Sequence, residues 1–334
     1  MTTERMTGSM TMDATALDPL HHGAGSVGNV QVLRMQSIIL DDGSEARVPF
    51  ISGNSIKHTL RDGGARFALE ALGVDDGSLT KGMIDLLWSG GGLTKGGSAV
   101  NLSRARELER LFPMLGVLGY SAGNTMTSSK LSVHHLHLVC LENVWRTPAE
   151  LASIPHARML AGEFQGDEFG TRHDAMRGSM PARMLDVETR TLIEGERSRK
   201  AGDKGASEKH TQSTQMIYEF ETIKPGSRFF GEIEFRDLST IEVGALQAAL
   251  GRACVGMHGT AHVFQLGAKS SVGYGRVAVR FGGVLRHIAR PATEGVSELV
   301  QFGGEHSTDA VREYTEHLRS NRAELLTALR EAAE

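Results

Sequence analysis

Cysteine is scarce in this chain. Its two cysteines in 334 residues, Cys140 and Cys254, are far apart and in no metal-like spacing. That excludes a disulfide framework and points to a reducing compartment. No apolar run approaches the length needed to span a bilayer, and residues 1–10 are polar, without the apolar core of a signal peptide. A cytoplasmic protein with no membrane partner is the expectation. Aromatic residues are sparse at 5%, and a formal net charge of -4 does not advertise nucleic-acid binding. The sum does not exclude it, because what decides a cleft is where the 36 Lys and Arg residues cluster. The Gly-x-x-x-x-Gly-Lys-Ser/Thr spacing of a nucleoside-triphosphate loop is missing, and no internal repeat is visible.

Hydrophobic residues at 40% and charged residues at 23% describe a globular chain, large enough for one elaborated domain or two. Glycine is over-supplied: 40 residues is about 12% of the chain, against the usual ~7%. Its placement matters most at Ser52-Gly53-Asn54-Ser55-Ile56-Lys57-His58-Thr59-Leu60-Arg61. Pro49, Phe50 and Ile51 read as the end of a strand, Gly53 lets the chain turn, and Asn54 or Ser55 can cap the helix that follows. The unpaired N–H groups of that first turn attract an anion, with Lys57, His58 and Arg61 as further donors. Taken alone, the same residues also describe an ordinary N-cap with solvated cations.

Alternation over 9–20, with Met10, Met12, Ala14 and Ala16 on one face, predicts a half-buried strand. Strands are predicted over 30–40 and 47–51, around a turn at Asp41-Asp42-Gly43, and a helix over 54–72, weakened at Gly63-Gly64. Residues 73–129, with helical stretches over 84–88 and 102–118, read as an insertion. A strand then covers 131–144, with His135 and His137 on one face. Residues 216–223 and 228–236 read as an antiparallel hairpin, 239–255 as a helix, 277–281 as a strand and 308–329 as an amphipathic helix. Residues 180–215 hold seven Lys or Arg against six acids, a balance that suits a solvated hairpin better than a basic arm.

The order strand, helix, strand, long excursion, strand, helix, strand predicts an α+β chain of split βαβ, ferredoxin-like type, whose sheet is a common platform for RNA. A second basic glycine loop, residues 267–276, places Lys269, Ser270, Ser271, Tyr274 and Arg276 among three glycines. Glycine admits a phosphodiester, the serines and lysine donate to it, and Tyr274 offers a stacking face. In this fold both loops can reach one side of the sheet.

On these residues the chain resembles the repeat-associated mysterious proteins of CRISPR systems, specifically the backbone subunit of type IV effector complexes. The resemblance is carried by His21-His22-Gly23-Ala24-Gly25, by residues 49–61, by Tyr218-Glu219-Phe220 through Pro225-Gly226 to Phe229-Phe230-Gly231-Glu232-Ile233, and by residues 267–276. It implies a modified RNA-recognition fold: a core of 9–72, 130–155 and 216–285, a helical insertion at 73–129, a thumb-like excursion at 156–215 and a helical extension at 286–334. It also implies a subunit that polymerises head to tail along guide RNA, beside other type IV subunits, and meets target nucleic acid through the guide. Implied RNA contacts are His21, His22, Ser26, Asn29, Gly53, Asn54, Ser55, Lys57, His58 and Arg61, with Lys269, Ser270, Ser271, Tyr274 and Arg276 from the second loop. Arg172, Arg177, Arg183 and Met184 are the implied thumb contacts.

Relatives in type III systems cut RNA with an aspartate after the first strand, working with a metal ion. Residues 22–32 contain no Asp or Glu, and Asp18, before Pro19, reads as a turn former. The expectation is no catalytic residue, no metal and no cofactor. An RNA endonuclease, acting through an unplaced acid or through His21 and His22, is the alternative, and a small-molecule phosphate binder a third. His134, His135 and His137 read as structural histidines, because no Cys or acid follows at ligand spacing.

Overall fold

The alternation that begins near Met10 buries Met10, Met12, Ala14 and Ala16 against a layer of helices and turns the residues between them the other way. The computed structural model describes residues 5–75, 77–91, 102–122, 125–172, 216–287, 299–300 and 305–333. Strands β1 (Arg5–Ala16), β2 (Gly23–Val27), β3 (Val30–Leu33), β4 (Met35–Ile39) and β5 (Glu45–Ile51) precede helix α1 (Gly53–Leu72). Then come α2 (Lys81–Ile84), which runs into a π-helical turn at Asp85–Ser89, α3 (Leu102–Leu111) and α4 (Pro113–Leu118). Four short strands follow: β6 (Tyr120–Ala122), β7 (Thr125–Thr127), β8 (Leu131–Val133) and β9 (Leu136–Leu138). Helix α5 (Ala149–Ala152) lies among 3-10 turns at Leu141–Arg146, Pro155–Arg158 and Ala161–Phe164. The remainder is β10 (Gln165–Arg172), β11 (Met216–Ile223), β12 (Arg228–Ser239), α6 (Thr240–Ala253), β13 (Gly256–His258), β14 (Ala261–Gln265), β15 (Arg276–His287), β16 (Leu299–Val300), α7 (Glu305–Ser320) and α8 (Arg322–Ala333).

The chain divides into two units: Met1–Gly23 with Arg34–Gln165 and Ile223–Glu334, and Ala24–Leu33 with Gly166–Thr222. In the larger unit the strands run β13-β14-β15-β1-β12-β9-β5-β4, with β8 also on β12 and β16 on β15. Taking β1, β8 with β9, β12 and β15 as four successive strands, the spatial order is fourth, first, third, second, and every neighbouring pair is antiparallel. Helix α1 follows the first strand and α6 the third, which is the ferredoxin-like arrangement expected. Met10 stands opposite Ile233 on β12 and Gly283 on β15. Met12, Leu136, Ile233 and Val279 on the sheet meet Ile56 and Leu60 of α1 and Leu250 of α6 around an apolar crevice.

Helix α6 opens on a capping box, with Ser239 and Glu242 satisfying each other's backbone N–H groups. Gly63 is no weak point. A methyl there would lie 2.3 Å from the Ala249 carbonyl oxygen, so glycine is what lets α1 and α6 pack backbone to backbone. Phe67 stacks on buried Tyr314 of α7 with ring centroids 5.9 Å apart.

Four sequence expectations are corrected. The strand over 30–40 divides at Arg34, whose N–H donates to the His22 carbonyl at 2.8 Å, and leaves β3 and β4 in different sheets. The strand over 131–144 is broken after Val133, where the His134 N–H turns to the Glu232 carbonyl at 2.9 Å. It ends in the 3-10 turn where buried Asn143 donates to the Leu138 carbonyl at 2.7 Å. The predicted hairpin of 216–223 and 228–236 does not pair with itself: β11 takes β10 and β3 as neighbours, while β12 lies between β1 and β8 with β9. The C-terminal helix is two helices, interrupted at Asn321, whose amide donates to the His317 carbonyl at 2.8 Å.

The smaller unit is a four-stranded sheet ordered β10-β11-β3-β2. Strands β11 and β3 run parallel, with Glu219 opposite Val30, and Glu221 accepts the Leu33 N–H at 2.7 Å. Arg177, Arg183 and Met184 lie outside the described residues, as does most of the expected thumb. Arg172 ends β10.

Candidate nucleic-acid interface

The first turn of α1 is built by residues remote in sequence. Ser52, extended at φ -70 and ψ 142, is the N-cap, and its Oγ accepts the Ser55 N–H at 3.3 Å. The cap falls before Asn54 and Ser55, the residues predicted for it, because the turn is already closed at Ser52. Gly53 is required by crowding, since a methyl there would lie 1.9 Å from the Val133 carbonyl oxygen. The Ser52 N–H donates to His22 Nε2 at 3.2 Å, and the Gly53 N–H donates to His135 Nδ1 at 3.0 Å. The two N–H groups at the entry to the helix are therefore taken by imidazoles.

Both rings accept, so both are neutral at those atoms. Burial first, then the charges of Arg34, His21 and His135, pushes His22 down to about 4. Burial, with His134 and Arg146, also lowers His135. Phe50 packs between them, 4.6 Å from His135 and 6.3 Å from His22 by ring centroid. His22 and His135 thus aim the turn from within, and His22 is not placed as an outward ligand.

Outward lie exposed Asn54 and His58 and half-buried Lys57. Among the described residues Lys57 has no hydrogen-bond or ion-pair partner, and burial followed by the Arg61 charge lowers its pKa. Arg61 is committed elsewhere: its Nη2 donates to the carbonyls of Leu118 at 3.3 Å and Gly119 at 2.8 Å, tying the inserted helices to α1.

The second loop follows β14. Lys269 adopts φ 65, a left-handed conformation that a side chain makes costly, before a single 3-10 turn at Ser270–Val272. Ser270 and Ser271 are exposed and Tyr274 is half-buried. Arg276 is neutralised, its Nε 2.6 Å from Asp18 Oδ2 and its Nη2 3.0 Å from Oδ1. The Arg276 hydrogen bond, chiefly, holds the Asp18 carboxyl below the usual range. One dipeptide joins the two loops: the His21 carbonyl accepts the Ala268 N–H at 2.9 Å, while the His22 ring holds Ser52. Ser26 and Asn29 belong instead to the β2–β3 hairpin of the smaller unit.

His137 stands beside Phe50 on β5 and Phe230 on β12, and burial first pushes it down to about 4. Among the described residues no group of three or more His, Cys, Asp or Glu is arranged to hold a metal ion, and no helix is long and apolar enough to cross a membrane. Sequence reasoning missed the capping role of His135, because its partner lies 82 residues away. It also passed over Trp145 and Arg146, although a tryptophan beside an arginine just after a strand was there to be read.

None of the curated proteins matches this sequence. A solved structure described as "Type IV-B CRISPR Complex" contains a chain with a TM-score of 0.51 to this one at 17% identity, covering 88% of this chain and 96% of that one. The family model for the RAMP superfamily matches residues 13–278, which run from the end of β1 through both loops to the start of β15. The chain belongs to the RAMP superfamily.

Proposed function

We propose that this protein is a non-catalytic subunit of a type IV CRISPR ribonucleoprotein, many copies of which assemble head to tail along guide RNA. One observation carries the RNA contact: Lys57, half-buried at the start of the second turn of α1, has no partner among the described residues. A partly desolvated cation without a counter-charge, at the positive end of a helix, is stabilised by an anion. Lys269, Ser270 and Ser271 supply the facing wall through the His21-His22 link. These groups suit phosphate, so the RNA is held by its backbone and its bases stay free to pair with target nucleic acid. Support for the non-catalytic role comes from the absence of an acid in residues 22–32 and from the grip of Arg276 on Asp18.

The double change Lys57→Glu and Lys269→Glu tests this. The purified variant is expected to be a folded monomer without the 260 nm absorbance of bound RNA. Retention of RNA at low salt would remove the groove, and a polymer persisting without RNA would show that protein contacts alone drive assembly. Shortening of labelled RNA by the wild-type protein would overturn the non-catalytic role.

A further inference from the structure

Trp145 is 60% exposed, and the Arg146 guanidinium carbon lies 5.3 Å from its ring centroid. The 3-10 turn that carries it is fixed from below. Asn143, fully buried, donates to the Leu138 carbonyl, and its Oδ1 accepts from Arg146 Nε at 3.0 Å and Nη2 at 2.6 Å. Arg146 Nη2 also reaches Gln36 Oε1 on β4 at 3.2 Å. Among the described residues the polar partners of Arg146 are thus two amide oxygens, which orient the cation and leave its charge uncompensated.

Arg146 is near enough to disfavour protonation of both His135 and His137. His135 in turn holds the Gly53 N–H at the start of α1. A strip of imidazole and aromatic rings, His135, Phe50 and His137, therefore connects the proposed phosphate-binding turn with the Arg146–Trp145 pair.

We infer that Trp145 is a platform on which a base of single-stranded nucleic acid stacks, with Arg146 beside it as the contact for the adjoining phosphate. The inference rests on the RNA-binding role proposed above and extends it to a second contact. An arginine over an indole, with no carboxylate among the described residues to neutralise it, is complementary to a base and its phosphate. Exposed Leu141, Val144 and Leu160 lie on the same segment and would suit a protein partner. They do not account for the uncompensated charge.

Intrinsic tryptophan fluorescence of the full chain tests the platform, with Trp145→Phe identifying its share against Trp88, the other tryptophan. The probes are a short oligouridylate and an abasic ribose-phosphate oligomer of equal length. Oligouridylate is expected to quench Trp145, and the abasic oligomer to bind without quenching. Trp145→Ala is expected to weaken oligouridylate binding roughly 5- to 150-fold, the stacking worth of one base, and to leave abasic binding unchanged. Trp145→Phe should restore most of the loss. Normal binding of both oligomers by Trp145→Ala, without quenching in the wild type, would overturn the platform alone. Failure of the wild type to bind either oligomer would overturn the RNA-binding role and the platform together. A change in the size of the RNA-free protein on Trp145→Ala, at unchanged affinity, would assign the residue to a contact between copies instead.

Discussion

Two neutral histidines, His22 and His135, hold the first N–H groups of α1, and neutral imidazoles at His22 and at neighbouring His137 tie stability to pH. His22 and His137 are each pushed down to about 4 from an ordinary 6.5, in both cases mainly by burial. The unfolded chain therefore binds protons that the folded chain refuses over that interval. Stability is at its full value above about 6.5 and falls as pH drops toward 4. Protonation of His22 also removes the acceptor of the Ser52 N–H. The melting temperature is expected to fall already between pH 6.5 and about pH 5, above the range in which ordinary carboxylates titrate. His22→Gln supplies an amide oxygen to the same N–H without a titrating ring, and should flatten part of that fall. An unchanged melting temperature across the interval in the wild type would show that neither ring is held neutral by the fold.

At the scale of elements, the contact between α1 and α6 sets a contrast between adjacent glycines. A methyl at Gly63 meets the Ala249 carbonyl oxygen at 2.3 Å, backbone that can move only if the helices part, whereas one at Gly64 meets the flexible end of Met114 at 2.9 Å. Gly63→Ala is expected to cost about 1–3 kcal/mol by overpacking. Gly64→Ala should fall near neutral, because the helical gain of about 0.5–1 kcal/mol offsets the push on Met114. Denaturant midpoints compare the two, and equal losses would place the close approach elsewhere. Elements made by local signals were legible in the sequence: α1, α6, and the alternation of β1. What was not legible depended on distant partners. Whether β11 pairs with β12 or with β3 is decided by strand edges some two hundred residues apart in sequence, and nothing in residues 216–236 encodes it. The candidate site divides the same way: Lys57 and the loop around Lys269 were visible as residue types, while the engagement of Arg61 by Gly119 and of Gly53 by His135 was not.

For the whole molecule the question is how a chain of net charge -4 holds a polyanion. Charge matters by location, because at physiological salt the field of an exposed group decays over about 8 Å. Lys57 lies at the start of the second turn of α1 and Glu70, paired with Arg252 at 2.6 Å, on its last. Thirteen residues at 1.5 Å each separate them by about 20 Å along the helix, well beyond that length. Lys57→Gln and Arg252→Gln remove the same formal charge, yet only the first removes a proposed phosphate contact. For single-stranded RNA, each phosphate neutralised contributes about 0.7 to the slope of log affinity against log salt. Lys57→Gln is expected to reduce that slope by about one contact's worth, and Arg252→Gln to leave it unchanged. Titration of a labelled oligonucleotide at several salt concentrations reads both slopes. Equal reductions in the two variants would mean that RNA responds to the total charge of the protein, and the groove at the start of α1 would then have no privileged part in binding.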